Sequence, residues 1–214
     1  MSRKARLVVG ISGASGTIYA ERLFFHLRNW SGELIVTASR TGREIIMEER
    51  GLNLPQGEAD LGGLLEQWLK LEPGSYLPRV SFYPHGNLAA PIASGSFRTT
   101  GMIIIPSSMA KVAALAVGQS RDLMERAADV TLKEGRPLVI VPRETPLSAI
   151  HLENLLKLAR LGVRVVPAMP GFYHHPQTLE EIADFVAARA LQAMGFDLPL
   201  AKEWQGSSTI IGEP

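Results

Sequence analysis

Cysteine is absent from the 214-residue chain. That excludes disulfides, a thiolate nucleophile, thiolate-bound iron–sulfur clusters and Cys-based zinc sites. An excess of one charge is absent too: 22 Lys+Arg stand against 21 Asp+Glu, a formal net charge of +1. This balance gives no global pull on nucleic acid, although it leaves room for a local basic groove. Long apolar runs are also missing. Residues 80–97 hold no Asp, Glu, Lys or Arg, but they include Pro84, His85, Gly86, Asn87, Pro91 and Gly95, which does not suit a membrane span. The opening MSRKAR runs straight into LVVGI, too short for a signal h-region and with no small-residue cleavage site after it. A cytoplasmic protein with no nucleic-acid or membrane partner is expected.

What is present is ordinary globular material. The chain is 46% hydrophobic, and one of this size buries roughly 70% of its unfolded surface without staples. The expectation is a single domain over 1–196 and a polar tail, 197–214, that wraps a neighbour or frays. Short apolar runs at 7–11, 34–38, 80–83, 102–105, 138–141 and 163–166 alternate with helical spacing at 17–28, 40–50, 60–70, 109–117, 123–133, 148–160 and 179–194. This βαβ alternation predicts an α/β, Rossmann-like or flavodoxin-like three-layer fold, with a mostly parallel sheet and helices on both faces. Segment 51–79, punctuated by Gly and Pro, is the least readable.

The unusual residues follow the strands. SGASG follows the first, Ser39-Arg40 the second, Pro106-Ser107-Ser108 the fourth, Pro142-Arg143-Glu144 the fifth and MPGFYHHP the sixth. In a parallel sheet those ends share one edge, where open α/β folds bind ligands. SGASG lets backbone amides approach an anion, but its spacing fits neither the dinucleotide fingerprint nor a phosphate-binding P-loop. Alone, it fits a phosphate cradle and a plain strand–helix turn equally. A nicotinamide-dinucleotide site usually places an acidic residue after the second strand. Ser39 and Arg40 stand there, which argues against NAD and leaves room for a mononucleotide such as FMN.

Arg126 and Lys133 are seven apart, so they share one helical stripe with Asp129. From spacing alone the stripe is a solvated face with an Arg126–Asp129 ion pair. Arg143-Glu144 lies between prolines at a strand end. Thr145 and Pro146 have the residue types of an N-cap and first helical residue, which would fix Glu144 as a candidate acid/base. Thr178-Leu-Glu-Glu181 predicts a capping box. His174-His175 lacks a third metal ligand and reads as a positioned loop, and Glu48-Glu49 at a helix end reads as solvated. No G-x-S-x-G elbow supports a serine hydrolase.

Taken together, these residues resemble the flavin prenyltransferase family (UbiX-type) over about residues 7–194. The carriers are GISGASG at 10–16, ASGSF at 93–97, RAADVTLKEGRPLVIVPRETPLSAIHLENLLKL at 126–158, PAMPGFYHHPQ at 167–177, and Phe185-Val186 with Arg189. The resemblance implies a metal-independent prenyltransferase. Its members attach a dimethylallyl group from dimethylallyl phosphate, or the diphosphate, to N5 and C6 of reduced FMN. The prenylated FMN serves UbiD-type decarboxylases, of which ubiquinone biosynthesis is one setting. Residue by residue, the resemblance places Gly13, Ala14, Ser15, Ser39, Ser108, Met109, Ala110, Lys111 and Arg143 on FMN, and Arg126, Lys133, Tyr173 and Arg189 on the prenyl phosphate. Ser15, Glu49 and Glu144 fall on catalytic positions. A homo-oligomer, a dodecamer in the family, is implied, with sites between subunits; the uncharged 86–97 stretch also suits an interface.

Two departures stand out. Relatives commonly read Pro-Cys-Ser-Met-Lys-Thr where this chain reads Pro106-Ser-Ser-Met-Ala-Lys111, so a cation replaces a threonine that meets the flavin phosphate. Leu88 stands where some relatives carry a Trp over the flavin. Two alternatives remain at this point: an FMN-dependent cysteine-peptide decarboxylase, against which the missing Pro-Ala-x-Asn-Thr loop argues, and a non-catalytic flavin carrier subunit of a decarboxylase.

Overall fold

Alternate residues of the central strands belong to two different cores. Leu7, Val9 and Ile11 of β1 (Arg6–Ile11) join one apolar cluster, while Val8 joins the other. Leu34 and Val36 of β2 (Glu33–Ala38) divide from Ile35 in the same way. So do Ile103 and Ile105 of β5 (Gly101–Ser107) from Met102 and Ile104, and Val139 and Val141 of β6 (Leu138–Pro142) from Leu138 and Ile140. A period of two with both faces apolar is what a sheet covered on both sides requires.

The computed structural model describes residues 5–197, so the tail expectation, apart from Asp197, lies outside the described residues. Seven strands are ordered β3-β4-β2-β1-β5-β6-β7, with β3 (Ala59–Asp60), β4 (Arg79–Phe82) and β7 (Arg164–Val165) completing the sheet. Every pairing is parallel except β3–β4. The first cluster takes residues of α1 (Ile18–Leu27), α2 (Arg40–Arg50), α3 (Gly62–Trp68) and α7 (Leu179–Met194). The second takes α4 (Met109–Ala116), α5 (Leu123–Lys133), α6 (Ala149–Arg160) and the 3-10 turn Pro91–Ala93. Strand order reverses between β1 and β5, so the crevice opens above their carboxyl ends.

The expected elements form, with two local corrections. Thr145 and Pro146 do not start α6. Ser148 is its N-cap, accepting the His151 amide while His151 Nδ1 accepts the Ser148 amide. A hydroxyl three residues before an imidazole satisfies two backbone amides there, so the helix begins later. At α7, Thr178 caps through the Glu181 amide, but the Glu181 carboxylate accepts from Gln177 rather than completing the box at Thr178. Within 86–97, Ala90 and Ile92 are buried in the chain's own second core, and Leu88 is exposed.

Candidate active site

The floor of the crevice is tied by one hydroxyl. Ser12, fully buried at the end of β1, donates to the Pro106 carbonyl at 3.0 Å and accepts the Ser108 amide at 2.7 Å. Ser39 and Ser108 then cap α2 and α4, accepting the amides of Gly42 and Lys111. The preceding first-turn amides of each helix have no intrahelical acceptor and face the edge where an anion is stabilised. The loop after β1 crosses α2 closely: a Cβ on Gly42 would lie 2.5 Å from the Ile11 carbonyl, and one on Gly13 2.6 Å from Thr41. Beside this floor the Ser107 hydroxyl is buried with no protein partner.

Glu49 is not a plain solvated carboxylate. From the last turn of α2 it reaches back to SGASG, accepting from the Gly16 amide at 3.1 Å, the Thr17 amide at 2.9 Å and the Thr17 hydroxyl at 2.8 Å. Burial pushes its pKa up, but hydrogen bonds from the Ser15 hydroxyl, Thr17 and Gly16 outweigh that and hold it below the usual range. Two of the loop amides that would cradle an external anion are therefore already occupied. Arg143, after β6, donates through Nε to the Ser15 carbonyl at 2.9 Å. Glu144 beside it is half-buried, and its carboxylate accepts the Thr145 amide at 3.0 Å. Ser15, Glu49 and Arg143 thus form one connected group, with Glu144 next in chain.

The four phosphate candidates form two pairs. Arg126 Nε donates to the Ala93 carbonyl at 3.0 Å, and its Nη1 pairs with Asp129 at 3.0 Å. Lys133 pairs with Glu134 at 2.6 Å, close against Gly95. The ASGSF loop therefore lies against α5. Arg136, which motif reading passed over, holds that loop through the Gly95 and Phe97 carbonyls; its only signal was its place in the matched block. The second pair sits by α7. Tyr173 meets Phe185 edge-on at 5.9 Å, His174 stacks on Phe185 at 5.7 Å, and Arg189 borders a groove of about 430 Å³ with Val165, Pro167, Met169 and Phe185. Because α5 and α7 cover opposite faces of the sheet, one chain does not gather all four.

The Lys111 ammonium is buried and bonded to Asp122 at 2.6 Å and Glu125 at 2.7 Å. Among the described residues no group of three or more His, Asp or Glu stands together as a metal site, and no helix is long and apolar enough to cross a membrane.

The doubly wound sheet opens a ligand-binding crevice at its switch point, and a flavoprotein family model matches residues 1–192. Flavin prenyltransferase UbiX of Synechocystis sp. is 46% identical over 200 residues, covering 94% of this chain and 96% of that protein. AnUbiX (PadA1), solved in complex with FMN and dimethylallyl pyrophosphate, superposes with a TM-score of 0.81 at 33% identity over 96% of this chain and 100% of that one. A dodecameric FMN-dependent UbiX-like decarboxylase from Escherichia coli O157:H7 gives 0.80 at 40% identity, over 94% and 100%. The chain belongs to the UbiX flavin prenyltransferase family.

Proposed function

We propose that the protein joins the dimethylallyl group of dimethylallyl phosphate to N5 and C6 of reduced FMN, and that a UbiD-type decarboxylase receives the prenylated flavin. The observation that carries the site assignment is the group formed by Ser15, Glu49 and Arg143, next to Glu144, at the mouth of the β1–β5 crevice. The residues fit FMN: α2 and α4 point capped N-termini at that edge, and the buried Ser107 hydroxyl lacks a protein partner.

Bound reduced flavin would supply the nucleophilic N5 and C6. The protein's part is positioning and charge. Phosphate leaves with the C–O electron pair, and its charge is met by Arg126, Lys133, Tyr173 and Arg189, each a hydrogen-bond donor. The apolar groove beside Arg189 matches an isoprenoid tail. Glu144 and the departing phosphate move the protons: one leaves N5 as it bonds the prenyl C1, and on ring closure the prenyl double bond takes a proton at C2 as its C3 bonds C6 and the C6 proton is lost. Since α5 and α7 lie on opposite faces, the phosphate site is completed between subunits of a homo-oligomer. Purified protein, reduced FMN and dimethylallyl phosphate are incubated without oxygen and the flavin is weighed. Prenylated FMN is expected; unchanged flavin refutes the reading.

A further inference from the structure

One buried ion cluster takes no part in the chemistry above. Lys111, on the first turn of α4, is 9% exposed, and its ammonium meets Asp122 Oδ2 and Glu125 Oε1. Both carboxylates belong to the start of α5. Asp122 is the N-cap, its Oδ1 accepting the Glu125 amide at 2.9 Å, and Glu125 Oε2 accepts the Arg121 amide at 2.8 Å. Each carboxylate thus spends one oxygen on the backbone at the start of α5 and the other on Lys111. The next residue is Arg126, whose amide donates to the Asp122 carbonyl at 2.9 Å.

The two helices are held differently. The first turn of α4 is fixed to the sheet without help from Lys111, because Ser12 binds the Ser108 amide and Ser108 caps the helix. The start of α5 is tied to that turn by the ammonium. Two of the three ammonium donors are taken and two buried carboxylates already neutralise its charge, so a flavin phosphate approaching the same ammonium would be brought against two buried anions, which is costly.

We propose that Lys111 is a positioning residue for the prenyl-phosphate subsite: it sets the first turn of α5, and with it Arg126, and does not itself meet the flavin phosphate. This rests on the prenyl-phosphate role given to Arg126 above.

Two variants test it: Lys111→Met, and the neutralised Lys111→Met/Asp122→Asn/Glu125→Gln, which leaves no unpaired buried charge if the single variant fails to fold. FMN affinity, kcat and KM for dimethylallyl phosphate are measured beside wild type. KM should rise roughly 10- to 100-fold, with FMN affinity and saturated kcat within about twofold, as expected when a binding group is misplaced. Weakened FMN with unchanged KM overturns the proposal and returns Lys111 to the flavin. Equal losses for both ligands, or a wild-type KM in a folded variant, also overturn it. Wild-type protein that neither binds FMN nor makes product overturns this inference and the proposed function together, whereas unaltered variants beside an active wild type overturn this inference alone.

Discussion

The Glu49 carboxylate lies 2.9 Å from the Thr17 amide and 2.8 Å from its hydroxyl, although the two residues are 32 apart in sequence. The end of α2 is thereby fastened to the turn that opens α1. Because these bonds lower the Glu49 pKa, its stabilising contribution is fully present above the ordinary value of 4.5 and disappears as pH falls through the depressed native value. Glu49→Gln should flatten the acid side of the stability curve without changing stability's pH dependence near neutrality. Denaturant titrations across acid pH check this, and identical acid slopes for variant and wild type would contradict it.

Arg126 and Arg189 lie on helices covering opposite sheet faces. Arg126→Ala and Arg189→Ala should each weaken dimethylallyl phosphate binding, and with it turnover at subsaturating donor, roughly 10- to 150-fold through a lost charge-assisted hydrogen bond. Co-assembled in equal amounts, the two variants should regain about a quarter of wild-type activity, since about that share of two-subunit sites keeps both arginines. No recovery in verified mixed oligomers would place each site within one chain.

Replacing Glu144 with Gln keeps size and most hydrogen bonds but removes the proton acceptor. Both ligands should still bind, while fully cyclised product should form about 10²–10⁴-fold more slowly. Optical spectra of the product report ring closure. An unchanged rate would leave departing phosphate as the only base.

Asp184 on α7 accepts from Arg22 at 2.6 Å and contacts His26 Nε2 at 2.7 Å, both on α1. Burial pushes its pKa up, but the His26 and Arg22 contacts hold it below the ordinary 3.8. That stabilisation is complete above 3.8 and lost as pH falls through the native value. Asp184→Asn should cost about 1 kcal/mol near neutrality, a figure discounted for solvent screening of a partly exposed group. It should leave FMN affinity unchanged, and calorimetry with flavin titration separates the two outcomes.

The parallel strands were legible because both faces are buried: runs such as Ile103-Ile104-Ile105 leave no polar alternation to misread. The strand-end loops were legible for a related reason, since polar residues after such runs must gather at one edge. By contrast, β3 spans only Ala59 and Asp60, with no apolar run to announce it. Its antiparallel pairing comes from β4 beside it. The Lys111 ion pairs are not legible in sequence because its partners, 11 and 14 residues downstream, belong to the start of another helix. The Glu49 contacts are hidden for the same reason, since the amides it binds come from a turn far upstream. Composition shows which charges exist; only tertiary packing decides which of them are spent.

Ser12 has both hydrogen-bonding roles filled within the protein, by Pro106 and Ser108. The crevice therefore needs no rearrangement at its base to admit a flavin ring, and little conformational entropy is lost there on binding. What ordering remains falls on the exposed side chains of Met169, Phe172 and Tyr173 at the rim. Flavin capture should accordingly be fast and close to lock-and-key at the base, with the slower adjustment following as the rim settles over the prenyl donor.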